Sequence, residues 1–454
     1  MPAFTLPTTL DAWLSLLETR HVRPIDLGLE RVGQVWRRLD VSLPGVRFVV
    51  GGTNGKGSTC AMLEAILLAA GYRVGCHTSP HLIRFNERIR INGEDLSDEA
   101  LLPLFERVEL ARGDVSLSYF EFTTLVMLLA FSGQPLDALV MEIGLGGRLD
   151  AVNLVDADCA IVTSVDIDHA DWLGDNREAI GLEKAHIFRA GKPAICSDPH
   201  PPKSLIRHAE TIGADLWLLG RDYNYAGDRQ QWSWSGRGAR RSGLAYPALR
   251  GMNQLLNASG ALAALQAVRP QLPVGAQDIR RGLALVDIPG RFQVMPGQPT
   301  IILDVGHNPH AAGHLVANLG NMAYHPETYA VFGMMADKDI DGVIAHLRNH
   351  VDHWICCDLP GPRGASAQML EDCLHAAGIT DLKDPKKGIN RTVVCSTTPD
   401  EGLRLARRQA DLNDRILVFG SFVTVAQALP AVREQLQEPP QAFHDATQEI
   451  SRPH

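Results

Sequence analysis

Val49-Val50-Gly51-Gly52-Thr53-Asn54-Gly55-Lys56-Gly57-Ser58-Thr59 decides the fold. Its apolar β-branched opening ends a strand, its glycines make a turn, and a helical pattern starts at Ser58 and runs to Ala70. Such glycines let backbone N–H groups converge on a phosphate, the helix N-terminus adds partial positive charge, and Lys56 neutralises the outer phosphates. The loop departs from G-x-x-x-x-G-K-[ST], because Gly57 separates Lys56 from Ser58. A turn that only joined strand to helix would need the glycines, but not the lysine or the hydroxyl.

Outward from this loop, short apolar β-rich runs alternate with helical patterns, which predicts a sheet wrapped by crossover helices. Strands are expected at 48–50, 74–77, 139–143, 160–165 and 193–196, with helices at 58–70, 120–131 and 177–190. The runs VMEI and AIVTSV are nearly all apolar, as parallel strands covered on both faces are. Residues 222–241, rich in Tyr, Trp, Gly and Arg with Trp232 and Trp234 alternating, predict a small antiparallel excursion. Helices resume at 253–268 and 275–285, and IPGRFQVMPGQPT then marks a domain boundary.

Beyond it the alternation restarts. Strands are expected at 300–304, 329–332, 353–357, 392–395 and 416–419, and helices at 309–319, 340–348, 367–377, 400–410 and 423–435. The predicted architecture is α/β: a P-loop-type doubly wound sheet domain with a small antiparallel excursion (1–289), a linker (290–299) and a C-terminal Rossmann-like domain (300–437). The polar, proline-bearing tail 438–454 is expected to be disordered.

Composition narrows the partners. The chain has 454 residues, and its 43 Lys and Arg against 52 Asp and Glu give a formal charge of −9, so no global field would hold a nucleic acid and any phosphate site must be local. The longest apolar run, 125–131, is far short of the roughly 20 residues a membrane helix needs. The N-terminus reads as an amphipathic helix rather than a secretory signal, and eight cysteines without a CxxC pair read as reduced, so a cytoplasmic monomer is expected.

Further motifs carry chemistry. In Leu139-Val140-Met141-Glu142-Ile143-Gly144-Leu145-Gly146-Gly147-Arg148, a carboxylate ends a buried strand, where it could hold a metal on the phosphates or serve structurally as a cap or a partner of Arg148. His169, with Asp166, Asp168 and Asp171, is a candidate metal cluster; imidazole is an unusual Mg²⁺ ligand, so a hydrogen-bonding loop role stands equally open. Glu183 and Lys184 read as solvated helix surface. Asp304 and His307 sit at the mouth of the second domain's first strand, while Asn308 and Pro309 suit a helix start and need no other role. Lys338 and Arg363 each offer a cation from a turn.

In order, GGTNGKGS, TSPHL, SYFEF, MEIGLGGRLDAVN, DHADWLG, EKAHIF, LPGRFQ, DVGHNPHAA, DKDI and GPRGA resemble the bifunctional dihydrofolate synthase/folylpolyglutamate synthases, relatives of the Mur ligases, over residues 25–429. The resemblance implies an ATP-dependent ligase with its active site between two domains. ATP phosphorylates a carboxylate of dihydropteroate or of a reduced folate, and the amine of L-glutamate attacks the acyl phosphate.

By resemblance, Asn54, Gly55, Lys56, Gly57 and Ser58 bind phosphates; Asn257, Arg291 and Asp304 bind ATP; and His307 lies close to the phosphates. Pro24, Ile25, Asp26, Leu27, Ser118, Tyr119, Phe120, Glu121 and Arg148 form the pterin-substrate site. Ser79, Glu142 and His169 become Mg²⁺ ligands, and Lys184 matches a lysine carried as a carbamate, N6-carboxylysine, that supports a second Mg²⁺. The sequence departs from the family pattern at His186, Ala336 and Val423, where glycine, histidine and histidine are usual. Three functions compete: this ligase, with both activities or folylpolyglutamate synthesis alone; a Mur-type ligase on another carboxylate acceptor; and a nucleotide-gated binding protein.

Overall fold

The structure, a computed structural model, describes residues 6–23, 26–228, 230–251, 253–384 and 389–437. Pro24, Ile25 and the tail 438–454 lie outside the described residues. The chain divides into two compact units, Met1–Pro289 and Gly290–His454.

The first unit is built on eight strands: β1 (Val46–Gly51), β2 (Val74–His77), β3 (Ile89–Ile91), β4 (Glu94–Asp95), β5 (Ala138–Glu142), β6 (Cys159–Val162), β7 (Pro193–Cys196) and β8 (Asp215–Leu218). They lie in the order β4-β3-β2-β5-β1-β6-β7-β8. The six strands from β2 to β8 in that order run parallel, and β3 and β4 extend one edge antiparallel. β1 is flanked by β5 and β6, with Val50 opposite Glu142 and Gly51 opposite Val162. The loop after β1, the end of β5 and the exit from β6 therefore share the carboxyl edge of the sheet, where open α/β sheets take their ligands.

Strand alternation loads both faces. Val49, Leu139, Met141, Ala160 and Val162 pack with Phe122 and Val126 of helix Tyr119–Ser132 on one side. On the other, Phe48, Val50, Val140 and Ile161 pack with Met62, Leu63 and Ile66 of helix Lys56–Ala69 and Ala258 and Leu262 of helix Asn253–Ala267. The excursion is a three-stranded antiparallel sheet of β9 (Tyr223–Gly227), β10 (Trp232–Gly236) and β11 (Ala239–Leu244). Trp232 and Trp234 bury on that second side, and the Trp234 indole donates to Ser259 O (3.1 Å).

The second unit holds β12 (Gln293–Met295), β13 (Thr300–Asp304), β14 (Thr328–Phe332), β15 (His353–Cys357), β16 (Leu382–Asp384), β17 (Ile389–Ser396) and β18 (Arg415–Phe419), ordered β12-β13-β18-β14-β15-β17-β16. Five parallel strands form its centre, with β12 and β16 antiparallel at the edges.

Some boundaries differ from the sequence reading, two of them for a physical cause. The expected linker 290–299 contains β12, which pairs with β13 through Gln293 opposite Leu303; an edge strand tolerates the flanking prolines that made the segment look like a break. The strand expected over 160–165 ends at Val162, because Thr163 and Ser164 turn their hydroxyls onto the loop after β1. The helix expected over 177–190 is Arg177–Ala185.

Candidate active site

The loop after β1 is fixed from the β6 side. Thr53 N donates to Ser164 O (2.8 Å), Asn54 N to Ser164 Oγ (3.0 Å), and Thr163 Oγ1 to Asn54 O (2.6 Å). Gly55 occupies the N-cap of helix Lys56–Ala69 with φ 87°, a left-handed conformation that a side chain would strain. A Cβ there would also meet Asn257 Oδ1 at 2.4 Å, so the fold places Asn257 of helix Asn253–Ala267 against the loop. Asn257 is buried, and its Nδ2 donates to Gln254 Oε1 (3.0 Å). Lys56 Nζ folds back onto Gly52 O (3.1 Å) and Thr53 O (3.2 Å), and Ser58 is buried in the helix's first turn. A cationic amine, backbone N–H groups and a helix N-terminus thus converge, which suits polyphosphate oxygens.

Two of the expected metal ligands meet at the end of β5. Glu142 is buried, and Ser79 N donates to its Oε2 (3.1 Å). A carboxylate and a hydroxyl residue at a sheet's carboxyl edge are the oxygen donors a hard cation takes. Glu142 is not paired with Arg148. That guanidinium pairs with Glu183 (2.7 Å) and is half exposed. His169 opens helix Ala170–Leu173 with φ 52°, its backbone N–H on Asp168 Oδ1 (2.8 Å). Among the described residues, no group of three or more His, Cys, Asp or Glu side chains converges as a metal cage. A set of one carboxylate, one hydroxyl and one imidazole leaves most coordination positions to phosphates and water, as Mg²⁺ sites do.

Lys184 contradicts the surface reading. It is buried, and burial together with the positive charge of Lys56 pulls its amine down to about 7. The carboxylates of Asp168, Asp150 and Glu183 act in the opposite direction. A lysine neutral near physiological pH is a nucleophile, whereas a solvated one is not. Beside it, Asp150 accepts from Leu145 N (2.8 Å) and Val152 N (2.9 Å), bracing the glycine loop, and its burial lifts its carboxyl to about 7.

Two residues of the expected acceptor site, Asp26 and Glu121, are bridged by an arginine that the sequence reading did not single out. Arg31 pairs with Asp26 (3.0 Å) and Glu121 (3.0 Å), and His21 Nε2 lies 3.0 Å from Asp26 Oδ2. Glu121 also closes a capping box: it accepts from Ser118 N (2.7 Å), and Ser118 Oγ accepts from Glu121 N (3.3 Å). Gly144 is needed for close approach, since a Cβ there would stand 2.5 Å from Phe120 Cζ. Leu27 is half-buried, and Gly28 N donates to Leu149 O (3.2 Å), tying the Asp26 segment to the Arg148 loop. Arg88, also missed, lies over the ring of Tyr119 at 5.6 Å. No sequence motif pointed to it.

In the second unit, Asp304 ends β13 and is a backbone anchor. Its carboxylate accepts from Phe292 N (3.0 Å) and Gly306 N (2.7 Å). Burial raises its carboxyl above the usual range, while Arg291 opposes that rise. Arg291 lies over the ring of Phe422 at 5.4 Å. His307 Nδ1 is 3.0 Å from Val305 O, which assigns the proton to Nδ1. The two turns read separately in the sequence join: Ala336 N donates to Arg363 O (2.8 Å), and Arg363 pairs with Asp337 (2.7 Å).

These residues can be set beside known proteins. The Mur ligase middle domain family matches residues 50–265, and the Mur ligase glutamate ligase domain family matches 290–422. Dihydrofolate synthase/folylpolyglutamate synthase of Escherichia coli is 44% identical over 424 residues, 93% of this chain and 95% of that protein. The structure of E. coli FolC in complex with DHPP and ADP superposes with a TM-score of 0.88 at 43% identity, covering 94% of this chain and 99% of that one. A bifunctional folylpolyglutamate synthase/dihydrofolate synthase with Mn, AMPPNP and L-glutamate bound superposes with a TM-score of 0.85 at 44% identity, covering 94% and 98%. The chain belongs to the dihydrofolate synthase/folylpolyglutamate synthase family of Mur ligases.

Proposed function

We propose that the residues gathered at the carboxyl edge of the N-terminal sheet carry out ATP-dependent addition of L-glutamate to 7,8-dihydropteroate, forming dihydrofolate, and of further glutamates to reduced folates. The observation that supports this most is the placement of Glu142 on Ser79 at the end of β5, with β5 next to the β1 strand that carries the phosphate loop. Phosphate binding alone would need the loop; a buried carboxylate beside it is what phosphoryl transfer adds.

A carboxylate resists nucleophiles because its charge repels them, so it must first gain a leaving group. An oxygen of the acceptor carboxylate attacks the γ-phosphorus of ATP, the bond to ADP breaks, and an acyl phosphate forms. The glutamate amine then attacks the acyl carbon, loses a proton, and the C–O bond to phosphate breaks to leave the amide. Lys56 and the backbone N–H groups of 54–58 hold the phosphates, and their fixed positions stabilise charge without reorganisation. Glu142, Ser79 and His169 would hold Mg²⁺, which when bound neutralises the crowded oxygens. Lys184, as a carbamate, would turn an amine into an anion able to support a second Mg²⁺. Asp26, Leu27, Ser118, Tyr119, Phe120, Glu121 and Arg148 would bind the pterin substrate, with Arg31 fixing Asp26 relative to Glu121. Asn257, Arg291 and Asp304 would bind ATP, and His307 would act near the phosphates.

The test is purified protein with MgATP, L-glutamate and dihydropteroate. Phosphate release that depends on both glutamate and acceptor, with dihydrofolate formed, supports the reading. Turnover of a UDP-linked acceptor instead would support the Mur-type alternative, and nucleotide binding without turnover a binding protein.

A further inference from the structure

Arg88 closes the 3₁₀ turn Phe85–Arg88 just before β3. The neighbouring arginines of this unit have acidic partners: Arg90 pairs with Glu64 (2.7 Å), Arg31 with Asp26 and Glu121, and Arg47 with Asp158 (2.8 Å). Arg88 does not. Among the described residues no carboxylate lies within ion-pair distance of its guanidinium, and its one side-chain hydrogen bond runs from Nε to His81 Nδ1 (2.8 Å). A planar cation with five donors therefore lies against the rings of Tyr119 (5.6 Å) and Phe85 (5.8 Å), half-buried, with no acceptor among the described residues for its terminal nitrogens. The carboxylates of Glu142 and Glu87 act on it only at longer range.

A partly desolvated guanidinium without an anion is costly, and its fork geometry matches a carboxylate. Its surroundings say which one. Tyr119 belongs to the proposed acceptor site, and Glu142 to the proposed metal site where the acceptor carboxylate must be phosphorylated. We propose that Arg88 receives the acceptor's reacting carboxylate, the aryl carboxylate of dihydropteroate or the terminal carboxylate of a folate, and holds it for phosphoryl transfer. This rests on the acceptor-site reading above. It makes Arg88 a binding residue that tells an ionised acceptor from a neutral one.

The experiment measures binding of dihydropteroate and of its neutral carboxamide to the wild type, Arg88→Lys and Arg88→Gln, with thermal melts alongside. The wild type should bind the acid more tightly than the amide. Arg88→Gln should lose about 10- to 100-fold in affinity for the acid, the range of a charge-assisted hydrogen bond, with affinity for the amide and KM for ATP unchanged. Arg88→Lys, which keeps the charge without the fork, should fall between. Equal losses for acid and amide in both variants would make Arg88 a structural strap under Tyr119, and an unchanged acid affinity would exclude contact; either overturns the proposal. Failure of the wild type to bind dihydropteroate would instead overturn the acceptor-site reading itself.

Discussion

Asn257 Oδ1 occupies the space into which a side chain on Gly55 would project, 2.4 Å from where that Cβ would stand. The two residues are 202 positions apart, yet together they set how closely helix Asn253–Ala267 approaches the phosphate loop. Gly55→Ala is therefore doubly unfavourable. The left-handed φ of 87° costs an L-residue about 1–2 kcal/mol, and the methyl group must displace Asn257 or the loop. Because displacement by about 1 Å can cost 100-fold in rate, kcat/KM for ATP should fall by about that factor in Gly55→Ala. Steady-state phosphate release checks it, with a melt to show that the unit still folds.

Glu142→Gln separates chemistry from folding. The amide oxygen can still accept from Ser79 N, so the loop geometry survives, while the negative charge that would hold a cation is lost. Ligation should drop by about 100- to 1,000-fold, as when one electrostatic stabiliser of a transition state is removed. Half-maximal activity should also require more Mg²⁺, with the melting temperature little changed. A titration of activity against Mg²⁺ reads this directly.

Much of this was legible in the sequence because the informative residues are local. The loop after β1, the carboxylate ending β5 and the helix start at Asn308 each announce themselves within a few residues. What was not legible depends on packing between distant segments. Lys184 looks like a solvated member of a Glu-Lys pair until the fold buries it near Lys56. Arg31 gains meaning only when Asp26 and Glu121, 95 positions apart, close on it. The prolines and glycines of 290–299 suggested a break, but an edge strand asks for few hydrogen bonds and β12 forms there. The helices Glu30–Leu39, Asp98–Arg112 and Lys203–Ile212 were not assigned, as no chemical motif drew attention to them.

The buried Lys184 predicts a pH dependence of stability with a definite sign. Its amine titrates at about 7 when folded against an ordinary 10.5. Below about pH 7 folded and unfolded chains both carry the proton, and the full penalty of a buried charge is present. Between about 7 and 10.5 the unfolded chain binds more protons than the folded one, so this residue's contribution rises with pH. In CO₂-free buffer without nucleotide, Lys184→Met should flatten the rise in melting temperature between pH 7 and 9. Adding ¹³C-labelled bicarbonate to the wild type should give a carbamate resonance that Lys184→Arg lacks.

Arg31→Ala should weaken the acceptor site without touching the nucleotide loop. Glu121 is 4% exposed at its side chain and would keep only its capping contacts, whereas Arg31 is 31% exposed and so partly screened. Losing the bridge should cost about 1–3 kcal/mol of stability, below the value for a fully buried pair. KM for dihydropteroate should rise while KM for ATP stays constant, because only the former depends on the position of Asp26 relative to helix Tyr119–Ser132. Initial rates with each substrate varied in turn distinguish the two.

Asp304→Asn tests whether the second unit contributes to nucleotide binding. The carboxylate offers one oxygen to Phe292 N and the other to Gly306 N, so it fixes the chain on both sides of β13, including the residue after Arg291. An asparagine of the same size can accept at only one of these positions. At the other its NH₂ would face an N–H donor, leaving a buried donor unsatisfied at a cost of about 1–3 kcal/mol. Either Arg291 or the turn leading to His307 must then shift. If both serve ATP, ADP affinity measured by calorimetry should fall about tenfold or more, while dihydropteroate binding to the nucleotide-free protein stays unchanged. An ADP affinity equal to the wild type's would confine Asp304 to a structural role.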